Sequence, residues 1–287
     1  MVMTGGTSGF GAVAARRLRG GNARLLLGAR RPGTDVFPLD LADLSSVRGF
    51  AAAVRTELGD TPIDALILNA GLVRPDSDGR TVDGFETTFA VNHLGHYLLL
   101  RLLLDALAED AIVVLTTSGT HDPATKAALV TPRHADADLL AHPDRDRGAD
   151  PKPSRAGQHA YTASKLCTVL TARALSERGV TAVAFDPGQV FGTGLAKDLA
   201  LPLRIAWKVM GTPVGWPVRR FSATRNTVSE AGNALADLVF RLQSPGGYAA
   251  LRHGRLVGLQ PSELAREEKT GQALWRDSAR LVGESSL

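Results

Sequence analysis

The chain has 287 residues, 44% of them hydrophobic and 22% charged, with a net charge of +4, enough length to bury one large core. Its basic residues are scattered without a Lys/Arg block, which argues against a nucleic-acid footprint. Cys167 is the single cysteine, so no internal disulfide forms. The longest apolar stretch, Tyr97 to Ala108, contains Arg101 and Asp105 and is too short to span a bilayer. With no signal-peptide pattern ahead of the first glycines, a cytoplasmic location is expected.

Met1-Val2-Met3 reads as a short apolar strand. It leads into Thr4-Gly5-Gly6-Thr7-Ser8-Gly9-Phe10-Gly11 and a helical run from Ala12 to Leu18. Strand, tight turn and helix start present bare backbone N–H groups and the positive end of a helix dipole, a place to hold a pyrophosphate. The strand is shorter than usual, so either the natural start lies upstream or the core is thin at this point. Ala23 to Ala29 reads as a second, buried parallel strand. At its end an NAD enzyme carries an acidic residue, but this chain has Arg30 and Arg31. Their charge suits a 2′-phosphate, so NADP(H) is expected, with Arg30 the preferred contact. Two solvated turn arginines are the alternative. Pro32 to Asp35 leaves little chain before a third strand, Val36 to Leu39, whereas a parallel crossover ordinarily takes roughly a dozen residues or more.

Asp40-Leu41 follows, and Asp43, Ser45 and Ser46 open a helix that runs to Leu58. Ile63 to Leu68 forms a fourth strand ending in Asn69-Ala70-Gly71, where a glycine lets the backbone pass close to a ligand. A long helix is predicted over Gly84 to Leu107, with Phe85, Phe89, Leu94, Leu98 and Leu102 as its buried stripe. His93 and His96 on it have metal-compatible spacing but no adjacent carboxylate or cysteine, so packing or surface histidines are expected.

Ala111 to Thr116 is the fifth strand, followed by Thr117 and Ser118. Residues 119–158 are rich in Asp, Ala, Pro, His and Arg and read as an irregular surface insertion. His134 to Asp138 and His142 to Asp146 offer no closed ligand set, and no metal is expected. His121 and His159 flank the serine and the coming tyrosine and are candidates for the pocket mouth.

Tyr161 and Lys165 stand four residues apart in a helix continued by Leu166, Val169, Leu170 and Leu175, so a phenol lies beside an ammonium. A fixed positive charge lowers a phenol's pKa, which prepares Tyr161 to act as acid or base near neutral pH. Cys167 in the same helix reads as a small buried thiol. Thr181 to Phe185 forms a sixth strand and runs into Asp186-Pro187-Gly188-Gln189-Val190-Phe191-Gly192-Thr193. Residues 194–228 are apolar and basic, with Trp207, Met210 and Trp216, and read either as a lid or as a packed helical pair. A helix follows from Val228 to Leu242, then an edge strand at Tyr248 to Leu251, and a last helix capped by Ser262 and running to Val282.

Alternating strands and helices predict an α/β fold over residues 1–287: a single Rossmann-like, doubly wound parallel sheet with helices on both faces. The glycine turn, Asn69-Ala70-Gly71, Ser118 and Tyr161 to Lys165, in that order at strand ends, resemble the short-chain dehydrogenase/reductase family. The insertion, the ending and Asn92-His93-Leu94-Gly95-His96 are most similar to its branch of retinol dehydrogenases and light-dependent protochlorophyllide reductase.

The resemblance implies a catalytic set of Asn92, Ser118, Tyr161 and Lys165, with Asn92 bending its helix and holding a water. It implies that the cofactor is bound by Gly5, Thr7, Ser8, Gly9, Phe10, Gly11, Arg30, Arg31, Asp40, Leu41, Asn69, Ala70, Gly71, Tyr161, Lys165, Pro187, Gly188, Val190 and Thr193. Asp40 would contact the adenine edge, with helix capping as its other reading. Residues 194–228 would close over a bulky apolar substrate. The implied reaction is NADP(H)-dependent hydride transfer to a carbonyl, or the reverse alcohol oxidation. The alternatives are reduction of a C=C bond and a non-catalytic NADP-sensing regulator. Pairing through the helices of Asn92 and Tyr161, as a homodimer or homotetramer, is also implied, with the insertion placed to obstruct that face.

Overall fold

The computed structural model describes residues 1–20, 23–31, 33, 36–190, 224–241 and 247–285. Its centre is an eight-stranded sheet. The strands are β1 (Val2–Thr4), β2 (Leu26–Ala29), β3 (Val36–Pro38), β4 (Ile63–Leu68), β5 (Leu107–Thr116), β6 (Thr181–Asp186), β9 (Tyr248–Arg252) and β10 (Arg255–Gly258). They lie in the order β10-β9-β6-β5-β4-β1-β2-β3. All neighbours are parallel except β9 and β10. A separate pair, β7 (Gln189–Val190) and β8 (Arg225–Asn226), follows the end of β6. The doubly wound expectation holds, and Val2, Leu66 and Val113 show why: central strands buried on both faces need apolar residues without interruption.

One face carries α1 (Gly9–Arg19) and α7 (Val228–Val239), packed over Met3, Ile67, Val114 and Phe185. α7 starts with Thr227 and Glu230 in a reciprocal cap. The other face carries α2 (Leu44–Leu58), α4 (Gly95–Leu103) and α6 (Pro153–Glu177), packed over Val2, Leu66, Val113 and Ala184. Asp43 caps α2 by accepting from the amides of Ser45 and Ser46, and Pro153 occupies the first turn of α6, where a missing N–H costs nothing.

Several elements differ from the sequence expectation, each for a local reason. The helix expected over Gly84 to Leu107 is α3 (Thr87–Phe89), a π-helical turn (Ala90–Leu94), α4 and a 3₁₀ turn (Leu104–Ala106). β5 begins at Leu107, where a register irregularity between Ile63 and Ala65 takes up Glu109 and Asp110. β9 is not the edge: His253 and Gly254, at φ 48° and 71°, turn the chain into β10, the paired positive φ angles of a tight hairpin. The last helix divides at Glu267 into α8 (Glu263–Arg266) and α9 (Glu268–Leu281). Across residues 30–35, β2 and β3 pair in parallel despite the short connection.

The insertion is more than irregular surface chain. It contains α5 (Ala137–Ala141), capped by Asp136, and it places Ala135, Ala137, Leu140 and Ala141 in the core. Thr162 donates to the carbonyl of Val130 at 2.8 Å, the amide of Arg133 donates to His159, and Asp138 pairs with Arg280 of α9. Apolar side chains spaced along α5 find the groove between α6 and α9, and burial outweighs the polar composition.

Candidate active site

The glycine turn is closed against the neighbouring strand. Gly5 has φ +67°, and a Cβ there would lie 2.7 Å from the backbone of Ala70. A Cβ on Gly11 would lie 2.1 Å from the carbonyl oxygen of Gly5. The side chain of Ser8, at the N-cap of α1, makes no capping hydrogen bond, and Thr7 and Ser8 are exposed. The first amides of α1 therefore face outward beside a backbone that only glycine can form, which fits a pyrophosphate.

Thr4 joins this turn to β4: its hydroxyl oxygen accepts from the amides of Asn69 at 3.0 Å and Ala70 at 3.1 Å. Asn69 donates to the carbonyl of Gly5 and accepts from Thr116. His96 lies 2.9 Å from the Thr4 hydroxyl and 3.3 Å from the carbonyl of Asn92. That carbonyl can only accept, so Nδ1 carries the proton and Thr4 donates to Nε2. Burial holds His96 down to about 4, so the ring is neutral. The sequence marks His96 only as a packing or surface histidine and gives Thr4 no part beyond the turn. Their only sequence signal is a threonine just before the glycines and a histidine four residues after Asn92.

Asn92 sits in the π-helical turn. Its side chain accepts from the amide of Leu72 at 2.8 Å and donates to Ser164 at 3.0 Å. A small cavity lined by Asn92, His96, Thr116 and Thr168 lies beside it. Lys165 donates to the carbonyl of Thr116 at 3.0 Å. Gly71 separates the two: a Cβ there would be 3.3 Å from Asn92 Oδ1 and 3.4 Å from Lys165 Nζ.

Ser118 leaves the end of β5 beside the Tyr161 phenol, close enough to draw its pKa down. It also accepts from the hydroxyl of Thr120 at 3.2 Å. Lys165 Nζ is 5.8 Å from the centre of the Tyr161 ring. Thr117, the neighbour of Ser118, is buried and donates to the carbonyl of Lys165, a structural bond. Asn92, Ser118, Tyr161 and Lys165 thus converge on one place.

The charge balance corrects one expectation. Burial pushes the Tyr161 phenol up to about 12, Ser118 pulls it down and Asp186 pushes it up further. Lys165 is itself lowered to about 8 by burial, against the pull of Asp186. Desolvation is the largest cause of both shifts, because the phenol and the ammonium are both enclosed.

Arg30 and Arg31 stand exposed at the end of β2 and make no ion pair among the described residues. Asp40 is exposed and closes a turn onto the amide of Ala42 rather than capping α2, which Asp43 does. The side chains of Leu41 and Val190 are buried in the two cores. Pro187 is buried. Gly188, at φ +70°, is held by Asp186, and a Cβ there would be 2.3 Å from the carbonyl of Thr224. Phe10 is half-buried against the α1 core. Thr193 and nearly all of 194–228 lie outside the described residues.

Among the histidines, His121 is buried against Tyr248, His159 against His134, and His93 reaches Ser278 at 2.8 Å. Cys167 is buried, and burial pushes its thiol up. Among the described residues no three or more His, Cys, Asp or Glu come together as a metal group, and no helix is long and apolar enough to cross a membrane.

A glycine-backed helix start at the carboxyl ends of parallel strands, with a buried phenol, hydroxyl and ammonium beside it, defines a nicotinamide-dinucleotide oxidoreductase. The chain belongs to the short-chain dehydrogenase family. A family model for short chain dehydrogenases matches residues 1–128. Protochlorophyllide reductase A of Oryza sativa subsp. japonica is 31% identical, covering 99% of this chain and 80% of that protein. The human WW domain-containing oxidoreductase is 29% identical over 99% of this chain and 68% of its own length. A crystal structure of a Mycobacterium paratuberculosis protein shares 26% identity at a TM-score of 0.66, covering 100% of this chain and 94% of that one. The NADPH-bound carbonyl reductase from chicken fatty liver, 17% identical with a TM-score of 0.56, covers 90% and 98% and shares the fold.

Proposed function

We propose that the protein is an NADP(H)-dependent reductase of the carbonyl of a bulky apolar or aromatic substrate, working in reverse as an alcohol dehydrogenase. Residues 1–287 act as one catalytic domain in the cytoplasm. The observation that carries the reading is the convergence of Ser118, Tyr161 and Lys165 beside Gly71.

The bound dinucleotide supplies the hydride that reaches the carbonyl carbon. Ser118 hydrogen-bonds the substrate oxygen as charge develops there, and Tyr161 donates the proton that completes the alcohol. Lys165 would hold the ribose hydroxyls and return a proton toward Tyr161, through a water near Asn92. Gly5, Gly9 and Gly11 admit the pyrophosphate, and Arg30 with Arg31 face the 2′-phosphate.

NADPH oxidation against a panel of bulky ketones, aldehydes and quinones tests class and direction together. Tyr161→Phe lowers turnover by about 10²–10⁴-fold and leaves NADPH affinity nearly intact; an active Phe variant overturns the assignment. The likeness to protochlorophyllide reductases favours C=C reduction as a second reading. Against it, Gln189 stands after the Pro-Gly turn, where that branch carries a cysteine. Failure to bind a tetrapyrrole removes that reading. The third reading, a sensor without catalysis, is opposed by the full set Asn92, Ser118, Tyr161 and Lys165. NADPH-dependent capture of a partner, with no turnover on any carbonyl, would revive it.

A further inference from the structure

Asp186 is the last residue of β6, 1% exposed, on the same face as Ala184. That face carries α6. The carboxylate accepts from the amide of Gly188 at 2.9 Å and pairs with Arg252 of β9 at 2.7 Å. It also borders the turn that follows Ser118: a Cβ on Gly119 would lie 2.9 Å from Asp186 Oδ2. From the far side, Asn226 donates to the carbonyls of Pro187 at 2.9 Å and Leu251 at 3.1 Å. The Pro187–Gly188 turn, the serine turn and the β6–β9 strand pair therefore meet at one carboxylate.

We infer that Asp186 is a positioning residue of this site, one that fixes the Pro187–Gly188 turn and sets the charge felt by Tyr161 and Lys165. The inference rests on the catalytic reading above. A neutral acceptor would hold the Gly188 amide equally well. What a carboxylate adds is a buried negative charge, and such a charge is costly unless paired. Arg252 supplies the pairing from the edge of the sheet. The ionisable groups facing Asp186 are Arg252 and Tyr248 from β9, His121 from the turn after β5, and Tyr161 and Lys165 from α6. Arg252 pairs with the carboxylate from the neighbouring strand, and the charge of Asp186 still acts on Tyr161 and Lys165. That charge favours the ammonium of Lys165 and the protonated phenol of Tyr161, the two forms that reduction requires.

The test uses the full chain with lysine labelled at ¹³Cε, following the Lys165 resonance, assigned with Lys165→Met, through a pH titration without cofactor. Asp186→Asn keeps the acceptor for Gly188 and removes the charge. It moves the Lys165 midpoint to lower pH by about one unit. The alkaline limb of NADPH-dependent reduction of 9,10-phenanthrenequinone moves the same way. The double variant Asp186→Asn/Arg252→Met leaves no unpaired buried charge and shifts the midpoint in the same direction; it decides the matter if the single variant does not fold. A Lys165 midpoint that stays in place in the folded variants overturns the inference, whatever happens to turnover. An active Tyr161→Phe enzyme overturns the catalytic reading instead, and the midpoint still decides whether Asp186 sets the local charge.

Discussion

Lys165 donates from its ammonium to the backbone carbonyl of Thr116 at 3.0 Å, so the end of β5 aims the lysine that α6 carries. Thr116 also donates to Asn69, whose amide nitrogen holds Gly5. One strand end thereby registers the lysine against the glycine turn. Lys165→Met removes the charge at similar bulk and is expected to lower kcat by about 10²–10⁴-fold with the fold retained, as steady-state kinetics and circular dichroism would show. Reduction falls as pH rises through about 8, where Lys165 loses its proton, while Tyr161, near 12, stays protonated. A rate that holds flat to pH 10 would count against this lysine.

We expect Arg30 and Arg31 to decide the dinucleotide. Arg30→Ala is expected to weaken NADPH by about 10-fold or more, the loss of one charge-assisted phosphate contact, and to leave NADH binding unchanged. Arg31→Ala has the smaller effect. Fluorescence titration with both dinucleotides checks the pair, and a wild-type preference for NADH would refute the NADP(H) assignment.

Glu86 gives the fold a pH dependence away from the site. It is 1% exposed, caps α3 through the amides of Thr88 and Phe89, and burial raises its carboxyl to about 7. A raised folded value means that the folded chain binds more protons than the unfolded one between about 4.5 and 7. The stability it contributes is complete below about 4.5 and is lost as pH rises through about 7. Glu86→Gln should flatten that part of the stability curve in urea unfolding between pH 4.5 and 7.5. An unchanged slope would remove Glu86 as its source.

Trp275 anchors α9 over the helices that hold Asn92 and Tyr161. It is 3% exposed, its carbonyl accepts from Tyr97 at 2.8 Å, and Arg178 lies 4.2 Å over its ring. Trp275→Ala is expected to cost about 3–5 kcal/mol, read by denaturant unfolding. With α9 packed over α4 and α6, we expect a monomer rather than pairing through those helices. Sedimentation at micromolar concentration checks this, and a dimer that survives dilution would contradict it.

The order of strands and helices, the glycine turn and the Tyr161–Lys165 pair were legible in the sequence through local chemistry: apolar periodicity, glycines at a strand-to-helix turn, and a four-residue helical spacing. Asn92 and Ser118 were singled out by the family resemblance. Only the tertiary structure decided the rest. Neither Thr4, His96, Asp186 nor Arg252 carries a local pattern, because each acts on a partner brought close by sheet pairing. The insertion looked solvated by composition, yet packs through α5, since burial depends on the surface a segment meets. The proton affinities of Tyr161 and Lys165 were likewise set by enclosure: sequence spacing placed the two groups together, and desolvation, which only the folded chain imposes, determined which way each one shifts.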